Sequence, residues 1–99
     1  MRTNIQFRDM PVSEALSTRI NSNLDKLAGK YPWIIGAEVT IKQENNPRES
    51  NCICEIQLSA PGPYLFARSC QDNFEKAARI AVNELSTQLE KRKNQILNH

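Results

Sequence analysis

The sequence predicts an α+β domain, a four-stranded mixed sheet with two helices packed on one face, in the order β-α-β-β-β-α. Three observations carry this prediction. Four short segments alternate apolar and polar residues with the period of a strand. Two longer segments carry apolar residues at steps of three and four, and the loops joining the last three strand segments are short. A strand, helix, strand unit implies a crossover and a parallel first pair, whereas short loops make the last three strands an antiparallel meander. The two amphipathic helices must then share one face of the sheet.

The first strand is expected from Arg2 to Arg8, with Ile5 and Phe7 two apart on the buried face. Asp9, Met10 and Pro11 break it. Ser13 is placed to cap the N-terminus of a helix, Glu14 favours the positive end of its dipole, and Val12 is placed to staple onto Leu16. The helix is expected from about Glu14 to Ala28. Its residues Leu16, Ile20, Leu24 and Leu27 form one stripe toward a core, and Gly29 stands where a stop is expected. Arg19, Asn23, Lys26 and Lys30 occupy the opposite face. Pro32 prevents the helix from simply continuing, and Trp33 reads as a plug on the end of the helix-sheet sandwich.

In 36–44 the residues Ala37, Val39 and Ile41 alternate with Glu38, Thr40 and Lys42, a half-buried strand. The polar run 45–50 supplies hairpin turn chemistry, and 51–59 resumes the alternation with Cys52, Cys54, Ile56 and Leu58 inward. A turn over Ala60, Pro61, Gly62 and Pro63 leads to a fourth strand, 64–69, with Leu65, Ala67 and Ser69 on one side. Asp72 is a suitable cap for the closing helix, whose Ala77, Ala78, Ala81, Val82, Leu85 and Leu89 keep helical spacing. From about Glu90 a basic helical extension follows, with Lys91, Arg92 and Lys93. The outer sheet face, with Ile53, Tyr64 and Phe66 among polar groups, is a second candidate surface.

With 99 residues the chain has the length of one domain spanning 1–99. A 39% hydrophobic share supports a core without offering a membrane span, and a net charge of +2 leaves the placement of charge, not its sum, to decide about acidic partners. Cys52, Cys54 and Cys70 are an odd set behind an N-terminus without a signal-like apolar run, so reduced thiols and a cytoplasmic location are expected. C-x-C is too tight for the usual zinc knuckle, and the lone His99 is terminal, so neither a metal site nor an activated cysteine is expected. With no convergent acid, base and nucleophile set and no phosphate-cradling glycine loop, an enzyme and a bound cofactor are not expected either.

Several segments resemble one family in order and with almost no gaps: NIQF in the first strand, Met10 to Leu16, NLDKL at 23–27, and the closing NFEKAARIAVNELSTQLEKRK with its L-x-x-Q-L-x-K pattern. They are similar to the short ribosome hibernation-promoting factors and ribosome-associated inhibitors. The resemblance implies a domain that fills the mRNA and transfer-RNA channel of the small ribosomal subunit, contacts ribosomal RNA phosphates through basic helix faces, and blocks translation. It also shows departures: relatives usually carry a basic residue where this chain has Asn23, often one at Gly29, and a Lys and an Arg where it has Glu84 and Thr87.

The residues themselves agree in kind. Arg19, Lys26 and Lys30 form one helical stripe turned away from the leucines, where rigid cations release counterions from each phosphate they meet. Lys76 and Arg79, one turn apart, and the cluster Lys91, Arg92 and Lys93 are placed to extend that footprint. The plainer reading of all of them is a solvated helix face. The alternative function is a protein-interaction or dimerisation module with a weakened RNA surface, working through the closing helix or the outer sheet face. There Tyr64, Phe66 and Arg68 are placed either to stack bases or to seal a homodimer.

Overall fold

The computed structural model describes residues 1–44 and 51–97, except for the side chains of 96 and 97. Its elements are β1 (Arg2–Arg8), α1 (Glu14–Lys30), β2 (Gly36–Gln43), β3 (Cys52–Ser59), β4 (Leu65–Gln71) and α2 (Phe74–Leu97). The strands lie side by side in chain order, β1 parallel to β2 and the later pairs antiparallel. This is the α+β arrangement that the sequence predicts. The hairpin turn expected over 45–50 and the terminal His99 lie outside the described residues.

The core is the layer between the helices and one sheet face. Leu16, Ile20, Leu24 and Leu27 are all buried, as are Ala77, Ala78, Ala81, Val82, Leu85 and Leu89, and they join one cluster with the inward residues of β2, β3 and β4. Trp33 packs against that cluster from its end, half-buried and edge-on to Tyr31. At the start of the parallel pair the backbones approach so closely that a Cβ on Gly36 would lie 2.9 Å from the Arg2 carbonyl oxygen. The first strand ends without a glycine, at Asp9 with a φ of 57°. Asp tolerates that left-handed conformation better than most side chains.

Several boundaries differ from the sequence expectation, each for a local reason. Ser13 caps α1 as expected, its hydroxyl accepting from the Leu16 N–H at 3.2 Å. Val12, however, is 72% exposed and staples nothing, while Met10 packs on the core instead. Gly29 does not stop α1. The helix runs through it to Lys30 and ends at Tyr31, which Pro32 forces out of helical geometry, to φ −128° and ψ 77°. At α2 the cap is Asn73, not Asp72: its side-chain oxygen accepts from the Lys76 N–H at 2.8 Å. Asp72 faces Lys76 from the same turn, 3.8 Å away. Strand β2 stops one residue earlier than expected, β3 starts one later, and β4 is shifted toward Gln71. The basic stretch after Glu90 is the continuation of α2, which ends at Leu97.

Ile53 also departs from expectation. It points to the outer sheet face yet is fully buried and separate from the main cluster. Its cross-strand partners are Lys42 and Cys70. Beside it runs a chain of ion pairs, Lys42 to Glu55 at 3.5 Å, Glu55 to Arg68 at 3.3 Å and Arg68 to Glu44 at 3.8 Å. The aliphatic stems of such side chains cover apolar surface while their charged ends stay wet. Tyr64 and Phe66, by contrast, remain 68% and 51% exposed.

Candidate nucleic-acid interface

The buried stripes of α1 and α2 turn their polar stripes outward on either side of the line where the helices meet. On α1 these are Arg19, Asn23, Lys26 and Lys30. On α2 they are Arg79, Asn83, Ser86, Glu90 and Asn94, at the same steps of three and four. Three depressions follow the seam. One of about 380 Å³ lies toward the start of α2, between Arg19, Asn23, Lys76 and Arg79. A central one of about 250 Å³ shares Asn23 and Arg79 with it and adds Lys26, Lys30, Asn83 and Ser86 over a floor of Leu27 and Val82. A third, of about 350 Å³, shares Lys30 and Ser86 and adds Thr87, Glu90, Lys91 and Asn94. The shared side chains make them one continuous trough.

Two pairs bridge the trough from helix to helix. Near one end Arg19 Nε lies 3.7 Å from Glu75 Oε1, with both side chains more than 60% exposed. Such a pair is worth little and yields readily to a stronger anion. Near the other end the buried Tyr31 hydroxyl donates to Glu90 Oε2 at 2.6 Å. That hydrogen bond holds the Glu90 carboxyl below the usual carboxylate range. Partial loss of solvent opposes the shift, and the positive charges of Lys93 and Lys30 reinforce it. The same bond, with burial, pushes the Tyr31 hydroxyl up. Lys30 also places its ammonium 5.4 Å from the centre of the Tyr31 ring, within cation–π range.

Of the residues expected at an RNA surface, Arg19, Lys26, Lys30, Lys76, Arg79 and Lys91 line the trough together. Among the described residues, Lys26, Lys30, Arg79 and Lys91 form no ion pair, and Lys76 has only its exposed contact with Asp72. Arg92 is placed elsewhere. Its guanidinium folds back onto the β3–β4 turn and donates to the carbonyls of Pro61 at 2.7 Å and Pro63 at 3.0 Å. Gly62, between them, has a φ of +96°, and a Cβ there would meet the guanidinium at 2.9 Å. Lys93 acts on Glu90 rather than lining the trough. Of the departures from the family pattern, Asn23 and Thr87 line the trough, whereas Glu84 is exposed outside it.

Sequence reasoning did not single out Asn83, Ser86, Glu90 and Asn94. The signal was present, because the stripe rule that grouped Arg19, Lys26 and Lys30 groups these residues with Arg79 once it is applied to α2. The Tyr31–Glu90 bond, spanning 59 positions, has no local signature.

Cys52 and Cys54 are buried free thiols, and Cys70 is half-buried. Burial pushes the Cys54 thiol up to about 12, which keeps it un-ionised near neutral pH. Among the described residues no three His, Cys, Asp or Glu side chains are grouped to hold a metal ion, and no helix is long and apolar enough to cross a membrane.

A protein-family model described as sigma 54 modulation protein / S30EA ribosomal protein matches residues 3–97. Among solved structures, the chain is similar to a ribosomal subunit interface protein from Coxiella burnetii, with a TM-score of 0.85 and 19% identity over 95% of this chain and 99% of that one. It is also similar to the N-terminal domain of Protein Y from Thermus thermophilus, with a TM-score of 0.79 and 20% identity over 92% of this chain and 98% of that one. At these identities the likeness is one of fold. No curated protein matches the sequence.

Proposed function

The chain belongs to the sigma 54 modulation protein / S30EA ribosomal protein family, and from that premise we propose that it is a non-enzymatic, cytoplasmic hibernation factor that docks on the small ribosomal subunit and inhibits translation. The domain lays the trough between α1 and α2 against ribosomal RNA and occupies space that mRNA and transfer RNA need. One observation supports this above the rest: Lys26, Lys30, Arg79 and Lys91 converge on one trough without ion-pair partners among the described residues. Exposed cations committed to carboxylates have less to gain from phosphate. Cations without such partners gain the full release of condensed counterions. Arg19 and Lys76 join by exchanging a weak exposed partner for a phosphate.

A second reading rests on Tyr64, just before β4, and Phe66 on it, two exposed aromatic side chains. It makes the outer sheet face a protein or homodimer contact, with the RNA surface weakened at Asn23, Glu84 and Thr87. Substitution separates the two. Lys26→Glu replaces an exposed cation with an anion in the trough, so it should cut co-sedimentation with small subunits on the order of tenfold while leaving the thermal melt unchanged. If Lys26→Glu sediments like the wild type and Phe66→Ser does not, the sheet-face reading is favoured.

A further inference from the structure

We infer that the central depression of the trough receives an unpaired nucleotide, so that the surface recognises single-stranded rather than helical RNA; this deepens the ribosomal reading and rests on it. The depression combines three kinds of group within about 250 Å³. Lys26, Lys30 and Arg79 stand on its rims and suit a backbone phosphate on either side. The floor is apolar, formed by the exposed edges of Leu27 and Val82, which are otherwise buried at 7% and 8% exposure. Asn23 from one helix and Asn83 from the other carry amides that make no side-chain hydrogen bond among the described residues, and Ser86 adds a hydroxyl.

Phosphate binding alone explains the cations but not the apolar floor or the paired amides. An amide offers donors and an acceptor together, which match the edge of a base, and a base presents its Watson–Crick edge only when it is unpaired. The shape points the same way. Packed helices typically lie about 8–10 Å apart, so the valley between their side-chain ridges admits one strand. The Arg19–Glu75 and Tyr31–Glu90 bridges bound its open length. Glu90 follows Glu75 by fifteen helical steps along α2, a rise of about 22 Å, room for a few nucleotides.

The test is a fluorescence anisotropy titration of the full chain with a short labelled unpaired RNA. Its competitors are a hairpin of the same length and composition and inorganic polyphosphate, which has the charge but no base. The unpaired RNA should bind on the order of tenfold more tightly than either competitor. Asn83→Leu, which fills the depression from an exposed position without altering charge, should lose a similar factor while keeping the salt slope, and Asn23→Leu should do the same from the other helix. Equal competition by the hairpin or by polyphosphate, or unchanged affinity in both variants, overturns the inference. Sedimentation of the wild type with ribosomes, run in parallel, keeps the two claims apart. Binding to ribosomes without discrimination in the titration defeats the single-strand inference alone. Discrimination without ribosome binding upholds the strand preference and removes the ribosome as its target.

Discussion

Tyr31, just past the end of α1, ties that end to Glu90 in the C-terminal half of α2 through one side-chain hydrogen bond, and their titration bounds the pH range of its contribution. Glu90 is shifted below its ordinary value of 4.5. Its contribution is therefore complete above that value and is lost as pH falls through the lower folded one. Tyr31 is shifted above 10.0. Its contribution is complete below 10.0 and is lost as pH rises through the higher folded value. Tyr31→Phe keeps the ring in the core and deletes the bond, so thermal melts should show a lower Tm near neutral pH, with the gap to wild type closing at both the acid and the alkaline end. A gap that does not depend on pH would assign the loss to packing. At this scale the sequence was only partly legible. It places a tyrosine directly after the first helix, but which carboxylate its hydroxyl meets depends on how the helices pack, and no local pattern encodes that.

The helices were the most legible elements, because the buried stripe of each is written as a run of leucines, alanines and isoleucine at fixed steps. Their ends were less legible. Gly29 reads as a stop, but the stop is set three residues later by Pro32, and Gly29 remains helical with open space where a Cβ would stand. Gly29→Ala should therefore stabilise the fold by about 0.5–1 kcal/mol, seen as a higher denaturant midpoint at unchanged slope. A loss of stability would show that the glycine is required for backbone reasons after all. Arg92 gives the reverse lesson. Its sequence neighbours make it one of three consecutive cations, yet helical rotation turns it about 100° from Lys91 and toward the β3–β4 turn, where the carbonyls of two prolines accept from it. Consecutive residues on a helix do not share a face, so a basic run is not in itself a basic patch. Ile53 follows the same logic in a strand: alternation assigned its face correctly, but not the ion-paired stems beside it.

Across the whole molecule the cations are sorted by face. The trough is lined by Arg19, Lys26, Lys30, Lys76, Arg79 and Lys91 against Glu75 and Glu90, whereas the outer sheet pairs Lys42 and Arg68 with Glu44 and Glu55. A net charge of +2 conceals this asymmetry, which became legible only when the stripes were placed on packed helices. Glu84→Lys with Thr87→Arg adds one cation in the trough and one on its flank, so the double variant should bind ribosomes more tightly and with a steeper salt dependence. The measurement that tests the central claim most directly is the affinity for small ribosomal subunits across a salt series, for the wild type and for a Lys26→Ala, Lys30→Ala, Arg79→Ala variant. If the trough faces RNA, wild-type affinity falls steeply and linearly in a log–log plot, and the triple variant lowers that slope by about three units. No binding by the wild type at low salt, or the same slope for both proteins, would contradict it.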